Sequence, residues 1–210
     1  MSDLRTRAGR LLAPIGRRCP VSPDVLTLLA LAFALGAAAL LAAGRRWPEA
    51  FGLAIVAAAA GGALDLLDGV VAREQGLASR WGDFLDHFSD RVSDAAMTAG
   101  WVIGAGVRPA IGLFAIAAVM LNGYAGTQVE ASFRTREYAT TGRGEFFIAI
   151  LGLPLLAWLG GDAARDTAVL RLPLFDLLTL MVAIFALAGV GQRVAHARRL
   201  ARRDGAPPVQ

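Results

Sequence analysis

Asp65-Leu66-Leu67-Asp68-Gly69-Val70-Val71-Ala72-Arg73, then eight residues, then Gly82, Asp86 and Asp90, is the stretch that decides how this chain is read. It sets four acids inside two segments that are otherwise apolar enough to be membrane helices. An aspartate at the centre of a membrane helix costs about 2.5–3.5 kcal/mol. Four standing alone in lipid cost on the order of 10 kcal/mol. A shared bound cation is the simplest offset. On a helix, Asp65, Asp68, Gly69 and Ala72 fall at i, i+3, i+4 and i+7, on one face. Gly82, Asp86 and Asp90 fall at i, i+4 and i+8, again on one face. Two neighbouring antiparallel helices can turn these faces together into a four-carboxylate pocket. Carboxylate oxygens suit a hard cation, Mg²⁺ or Mn²⁺. Four carboxylates exceed what one Mg²⁺ usually takes from protein, which points to two ions.

The rest of the chain agrees with a membrane setting. Its 210 residues are 56% hydrophobic, with mean hydropathy +0.53, and the charge collects between long apolar runs. The expected fold is an all-α membrane protein with six transmembrane helices. Its spans are drawn at 24–43, 50–72, 82–104, 109–128, 144–160 and 174–195. Runs of about 20 apolar residues without strict alternation exclude a barrel. The whole of 1–204 reads as a single membrane domain, and 205–210, with Pro207-Pro208, as a disordered tail.

All 21 cationic residues are arginine, which reads as a composition bias. The sequence pI of about 10.4 is therefore no sign of a nucleic-acid partner. Sixteen of the 21 arginines fall on the side that holds both termini, the 2/3 connection and the 4/5 connection. The positive-inside rule puts that side, both termini and the aspartate motif in the cytoplasm. The expected location is the inner (cytoplasmic) membrane, multi-pass, with the site facing the cytoplasm. Residues 4–18 place Leu4, Ala8, Leu11, Leu12 and Ile15 at helical spacing between arginines, so 1–20 is expected to carry an amphipathic helix lying on the membrane surface. A disordered basic leader is the plainer alternative. A cleaved signal peptide fits poorly, because Arg45-Arg46 directly follow the first apolar run. The lone cysteine, Cys19, permits no internal disulfide. With only His87 and His196 present, no Cys/His metal site is expected.

Gly69 and Gly82 lie on the acidic faces, where the missing side chain lets a bulky ligand or another backbone approach. Arg73, one turn past Gly69, is placed to hold a phosphate oxygen. Each also has a plainer reading, glycine as helix packing and arginine as a snorkelling anchor. Gly100 and Gly104 read as helix packing alone. Asp83 is expected to be solvated and Asp94 to support the site from behind.

The run Asp65-x2-Asp68-Gly69-x2-Ala72-Arg73-x8-Gly82-x3-Asp86-x3-Asp90 resembles the signature of the CDP-alcohol phosphotransferase family at all eight of its fixed positions. The resemblance implies an enzyme that transfers a phosphatidyl-type group from a CDP-linked lipid to an alcohol and releases CMP, in phospholipid biosynthesis. It implies that Asp65, Asp68 and Asp86 ligand two divalent ions, with Asp90 at the metal site acting as base on the acceptor hydroxyl. Asp65, Asp68, Gly69, Ala72, Arg73 and Gly82 would line the nucleotide pocket. It also implies a homodimer. Ser22-Pro23-Asp24-Val25-Leu26-Thr27 is similar to the family's Pro-Asn-x-x-Thr opening, with Asp24 in place of Asn. This makes Thr27 a candidate nucleotide contact, while Ser22 and Pro23 also read as a helix start.

The acceptor is the finer question. Arg143 and the pair Gln192-Arg193 resemble positions of the phosphatidylinositol-phosphate synthase members, and imply a clamp on the phosphate of inositol phosphate or glycerol phosphate. The chain departs from that subgroup at Phe146, which replaces an arginine, and in having no lysine. A neutral alcohol, with both arginines as anchors, stays open. A cation or proton transporter using the buried aspartates is the reading from another class. Against it, the outward halves of the spans contain no further ladder of acids.

Overall fold

Helices account for nearly all of the computed structural model, which describes residues 12–133, 143–169 and 171–203. A short helical segment, 12–18, leads into α1 (Pro23–Ala43), α2 (Glu49–Glu74), α3 (Arg80–Ala105), α4 (Pro109–Phe133) and α5 (Arg143–Asp166). The two-residue strands β1 (Ala168–Val169) and β2 (Leu172–Pro173) follow, then α6 (Leu174–Arg203). Each expected span falls within one of α1–α6. Residues 1–11 of the expected surface helix and the tail 205–210 lie outside the described residues.

Local chemistry sets the helix ends. Ser22 is extended at the N-cap of α1 and Pro23 follows just inside it, where its missing N–H is no loss. Between α2 and α3, Gly76 takes φ +66, a left-handed conformation that a side chain disfavours. Ser79 then caps α3, its Oγ accepting from the Gly82 N–H at 3.0 Å. This connection joins α2 to α3, and both helices pack on α1. The hairpin between α5 and α6 was not expected from sequence. It pairs Ala168 with Pro173 and Val169 with Leu172.

Among the described residues, four helices are long and apolar enough to cross a membrane: α1, α2, α4 and α6. In α3 the first half is charged, carrying Arg80, Asp83, Asp86, Asp90, Arg91 and Asp94, and only its second half is apolar. The helices pack through small residues, as membrane helices must when lipid is as apolar as leucine. Ala34, Ala37 and Ala38 of α1 are buried with Ala54 and Ala58 of α2 and with Met97 and Trp101 of α3. At Gly100 and Gly104, a side chain would run into the backbone carbonyls of Ala38 and Leu41, so these glycines let α1 and α3 touch backbone to backbone. That is the packing role their sequence suggested. A second core joins Ala115, Ala118 and Val119 of α4 to Ala183 and Ala186 of α6.

The end remote from the motif is tied by polar bonds. Arg108 donates from its backbone N–H and its Nε to the two oxygens of buried Asp176, at 2.9 and 2.5 Å. Arg165 donates to the Gly44 carbonyl at 2.9 Å. The Trp101 indole bonds the Thr179 hydroxyl at 2.9 Å.

Candidate active site

Helices α2 and α3 both pack against α1, and the last three turns of the one and the first three of the other bring the acids together. Asp65, Asp68 and Asp86 each offer a carboxylate oxygen, and the three oxygens lie within 4.8 Å of one another. Asp86, His87 and Asp90 form a second group at the same spacing, so the two groups share Asp86. The four motif aspartates therefore converge. Asp68 is buried, and the others are half-buried. The hydroxyl of Thr27, on the first turns of α1, donates to Asp68 Oδ2 at 2.5 Å. A hydrogen bond to a buried carboxylate both satisfies it and fixes its rotamer.

The glycines leave room beside these acids. A side chain at Gly69 would meet only the Arg73 guanidinium, at 3.3 Å. At Gly82 it would meet the Ser79 hydroxyl at 3.4 Å and Asp24 Oδ1 at 3.9 Å. Ala72 is half-buried and Arg73 exposed beyond them. On the other flank, Arg91 lies 3.6 Å from Asp90 and 3.1 Å from Asp94. Arg91 also reaches α4, where its guanidinium occupies the space that a side chain at Gly123 would need. Arg193 of α6 meets the same turn of α4. It donates to the Asn122 backbone carbonyl and to Asn122 Oδ1, the latter at 2.7 Å, and packs over Gly126.

A family model for CDP-alcohol phosphatidyltransferase matches residues 20–191. The chain belongs to this family. It is 32% identical over 195 residues to the phosphatidylinositol phosphate synthase of Mycolicibacterium smegmatis, covering 88% of this chain and 81% of that protein. It is 28% identical over 181 residues to the archaetidylinositol phosphate synthase of Methanothermobacter thermautotrophicus, covering 86% and 90%. The fold is similar to that of Mycobacterium tuberculosis phosphatidylinositol phosphate synthase solved with CDP-DAG bound, at TM-score 0.68 and 23% identity, covering 90% of this chain and 94% of that one. The same enzyme solved with manganese and citrate matches at TM-score 0.66 and 23% identity, covering 92% and 88%.

As a family member, the protein is a membrane transferase of phospholipid synthesis, moving a phosphatidyl-type group from a CDP-linked lipid to an alcohol with release of CMP. Its donor set fits a divalent cation of the Mg²⁺ or Mn²⁺ kind, since carboxylate oxygens dominate it.

Thr27, expected as a nucleotide contact, has its hydroxyl on Asp68. Asp83 is exposed, as expected, and Asp94 stands behind Asp90 through Arg91. Arg143 opens α5, and its side chain lies outside the described residues. Sequence reasoning missed His87. It set both histidines aside because two cannot make a Cys/His site, but one imidazole can join a carboxylate set. The available signal was that His87 directly follows Asp86. The His87 imidazole also lies 3.7 Å from Glu130 of α4.

Proposed function

We propose that this enzyme transfers the phosphatidyl group of CDP-diacylglycerol to a hydroxyl of a phosphorylated polyol, inositol phosphate being the best candidate, at the cytoplasmic face of the inner membrane. The observation that carries this reading is the pair of three-ligand groups sharing Asp86, set where α2 ends and α3 begins. Two groups with a common carboxylate suit two ions, with Asp65, Asp68, Asp86 and Asp90 as their ligands. Divalent ions held by these residues would polarise the oxygens of the phosphorus under attack and neutralise the departing CMP.

Asp90 takes the proton of the acceptor hydroxyl, whose oxygen bonds to the phosphorus bearing the diacylglycerol, and the bond from that phosphorus to CMP breaks. Gly69, Ala72 and Gly82 leave the space for the nucleotide, and Arg73 holds a phosphate oxygen. Thr27 serves the nucleotide side indirectly, by orienting Asp68.

A phosphorylated acceptor is supported by the two inositol phosphate relatives and by Arg193. This arginine, from α6, packs against the same turn of α4 as Arg91 of α3, the partner of Asp90. Arg193 and Arg143 are assigned to the acceptor phosphate. Six spans with both termini in the cytoplasm follow from the arginine distribution, with 1–204 as one domain and a homodimer as the assembly.

The test is a head-group screen. Purified protein is given CDP-diacylglycerol, Mn²⁺ or Mg²⁺, and in turn inositol phosphate, glycerol phosphate, inositol and serine, and CMP release is measured. Release with inositol phosphate is expected. Release only with an unphosphorylated alcohol overturns the acceptor. Release with none overturns the reading.

A further inference from the structure

Arg91 is not one of the motif residues, yet its surroundings are built for it. It stands on α3 immediately after Asp90. Its NH2 lies 3.6 Å from Asp90 Oδ2 and its NH1 lies 3.1 Å from Asp94 Oδ2. Asp90 and Asp94 are one helical turn apart, a spacing at which like charges repel. The guanidinium sits between them. About three-quarters of the side chain is buried, since its exposure is 24%. The Arg91 Nε is buried with no hydrogen-bond partner among the described residues. A membrane helix does not bury a guanidinium without a use for it. In the orientation it adopts, the Arg91 guanidinium fills the place where a side chain at residue 123 would stand, which glycine leaves open.

One positive charge facing two negative ones gives a net negative group, so this arginine is a poor anion site. Its work is directed at the carboxylates. We propose that Arg91 is a positioning residue: lodged against Gly123 and Asp94, it holds the Asp90 carboxylate at the angle from which it meets the acceptor hydroxyl. This rests on the reading of Asp90 as the base. It makes Gly123, on a different helix and remote in sequence, part of the same device. The carboxylate orientation it sets matters to the chemical step more than to capture of the donor, because the ion pairs of Arg91 are with Asp90 and Asp94.

The experiment compares wild type, R91A, R91K, G123A and the R91A/G123A double variant for CMP release. Mn²⁺ affinity is measured by titration, and the folded fraction is taken from CMP binding. In both R91A and G123A, kcat per folded enzyme is expected to fall about 10–100-fold, the usual loss when a partner of an active-site ligand is removed. KM for the CDP-lipid, read at saturating Mn²⁺, is expected to stay within about twofold, since the ion pairs of Arg91 are with Asp90 and Asp94. R91K is expected to recover part of the loss. The double variant is expected to be no worse than the poorer single one, because both changes remove one contact. Unchanged kcat in R91A, a rise in CDP-lipid KM that accounts for the whole loss, or losses that multiply in the double variant would each overturn the proposal. Wild-type turnover run alongside separates the cases: an inactive wild type sinks the reading of function, and an active one with an unaffected R91A sinks only this inference.

Discussion

Asp68 is the deepest of the motif aspartates, and its carboxylate is held there by the Gly69 backbone N–H and by a hydroxyl from another helix, that of Thr27. Removing that hydroxyl takes away the one side chain that fixes its orientation from α1. Thr27→Val is expected to weaken Mn²⁺ binding by about 10–100-fold, the range for lost partners of metal ligands, whereas Thr27→Ser keeps most of it. A Mn²⁺ titration of both variants decides, and equal affinities would remove Thr27 from the site. Asp90→Asn is expected to lower CMP release by about 10²–10⁴-fold, as for loss of a general base, while the CDP-lipid still binds, as read by CMP displacement. At this scale the acids were legible in the sequence because their spacing follows the helical period. The Thr27–Asp68 bond and the approach of His87 to Asp86 and Asp90 were not. One joins residues 41 positions apart, and the other depends on which way an imidazole turns on a helix that must already be packed.

Helix α3 does two incompatible jobs at its two ends, and its packing on α1 reconciles them. The charged first half supplies the site, and the second half is anchored where Gly100 and Gly104 rest on α1 carbonyls. Gly104→Val must push two backbones apart, and is expected to cost about 1–3 kcal/mol, as overpacking does. A lowered thermal midpoint in detergent checks it. Gly36→Ala on α1, where an added methyl meets nothing within 4 Å, is the contrast and should not lower that midpoint. If both glycines tolerate substitution equally, the contact is not what fixes α3. The positions of the six helices were legible from apolar runs, as was the Ser22–Pro23 start of α1, whereas the C-terminal ends of α4, α5 and α6 were not. Polar residues such as Thr127–Phe133 on α4 extend the helix past the apolar segment without disturbing its hydrogen bonds. Strands of two residues are too short to show any period, so the β1–β2 hairpin left no trace. The break at Gly161, φ 50 and ψ −135, lies inside α5 for the same reason.

The molecule as a whole is asymmetric from end to end. One end holds the acid groups and most of the arginines. The other is closed by specific bonds, Arg108 to Asp176 and Arg165 to Gly44. The arginines that run against the charge bias thus include two with structural work, which counting residues could not reveal. Orientation is checked with the single native thiol. In sealed right-side-out vesicles, Cys19 should resist a membrane-impermeant maleimide until the membrane is opened. In a Cys19→Ser background, Arg46→Cys should react at once. The reverse pattern would invert the topology. The place of the acid groups, at the ends of helices rather than midway along them, also governs how the enzyme meets its two reactants. The lipid donor arrives by lateral diffusion and the water-soluble acceptor from bulk solution, so their concentrations count in different dimensions. Diluting the donor with inert detergent or lipid should slow turnover even when its molarity is held fixed, whereas the acceptor should follow ordinary saturation in three dimensions.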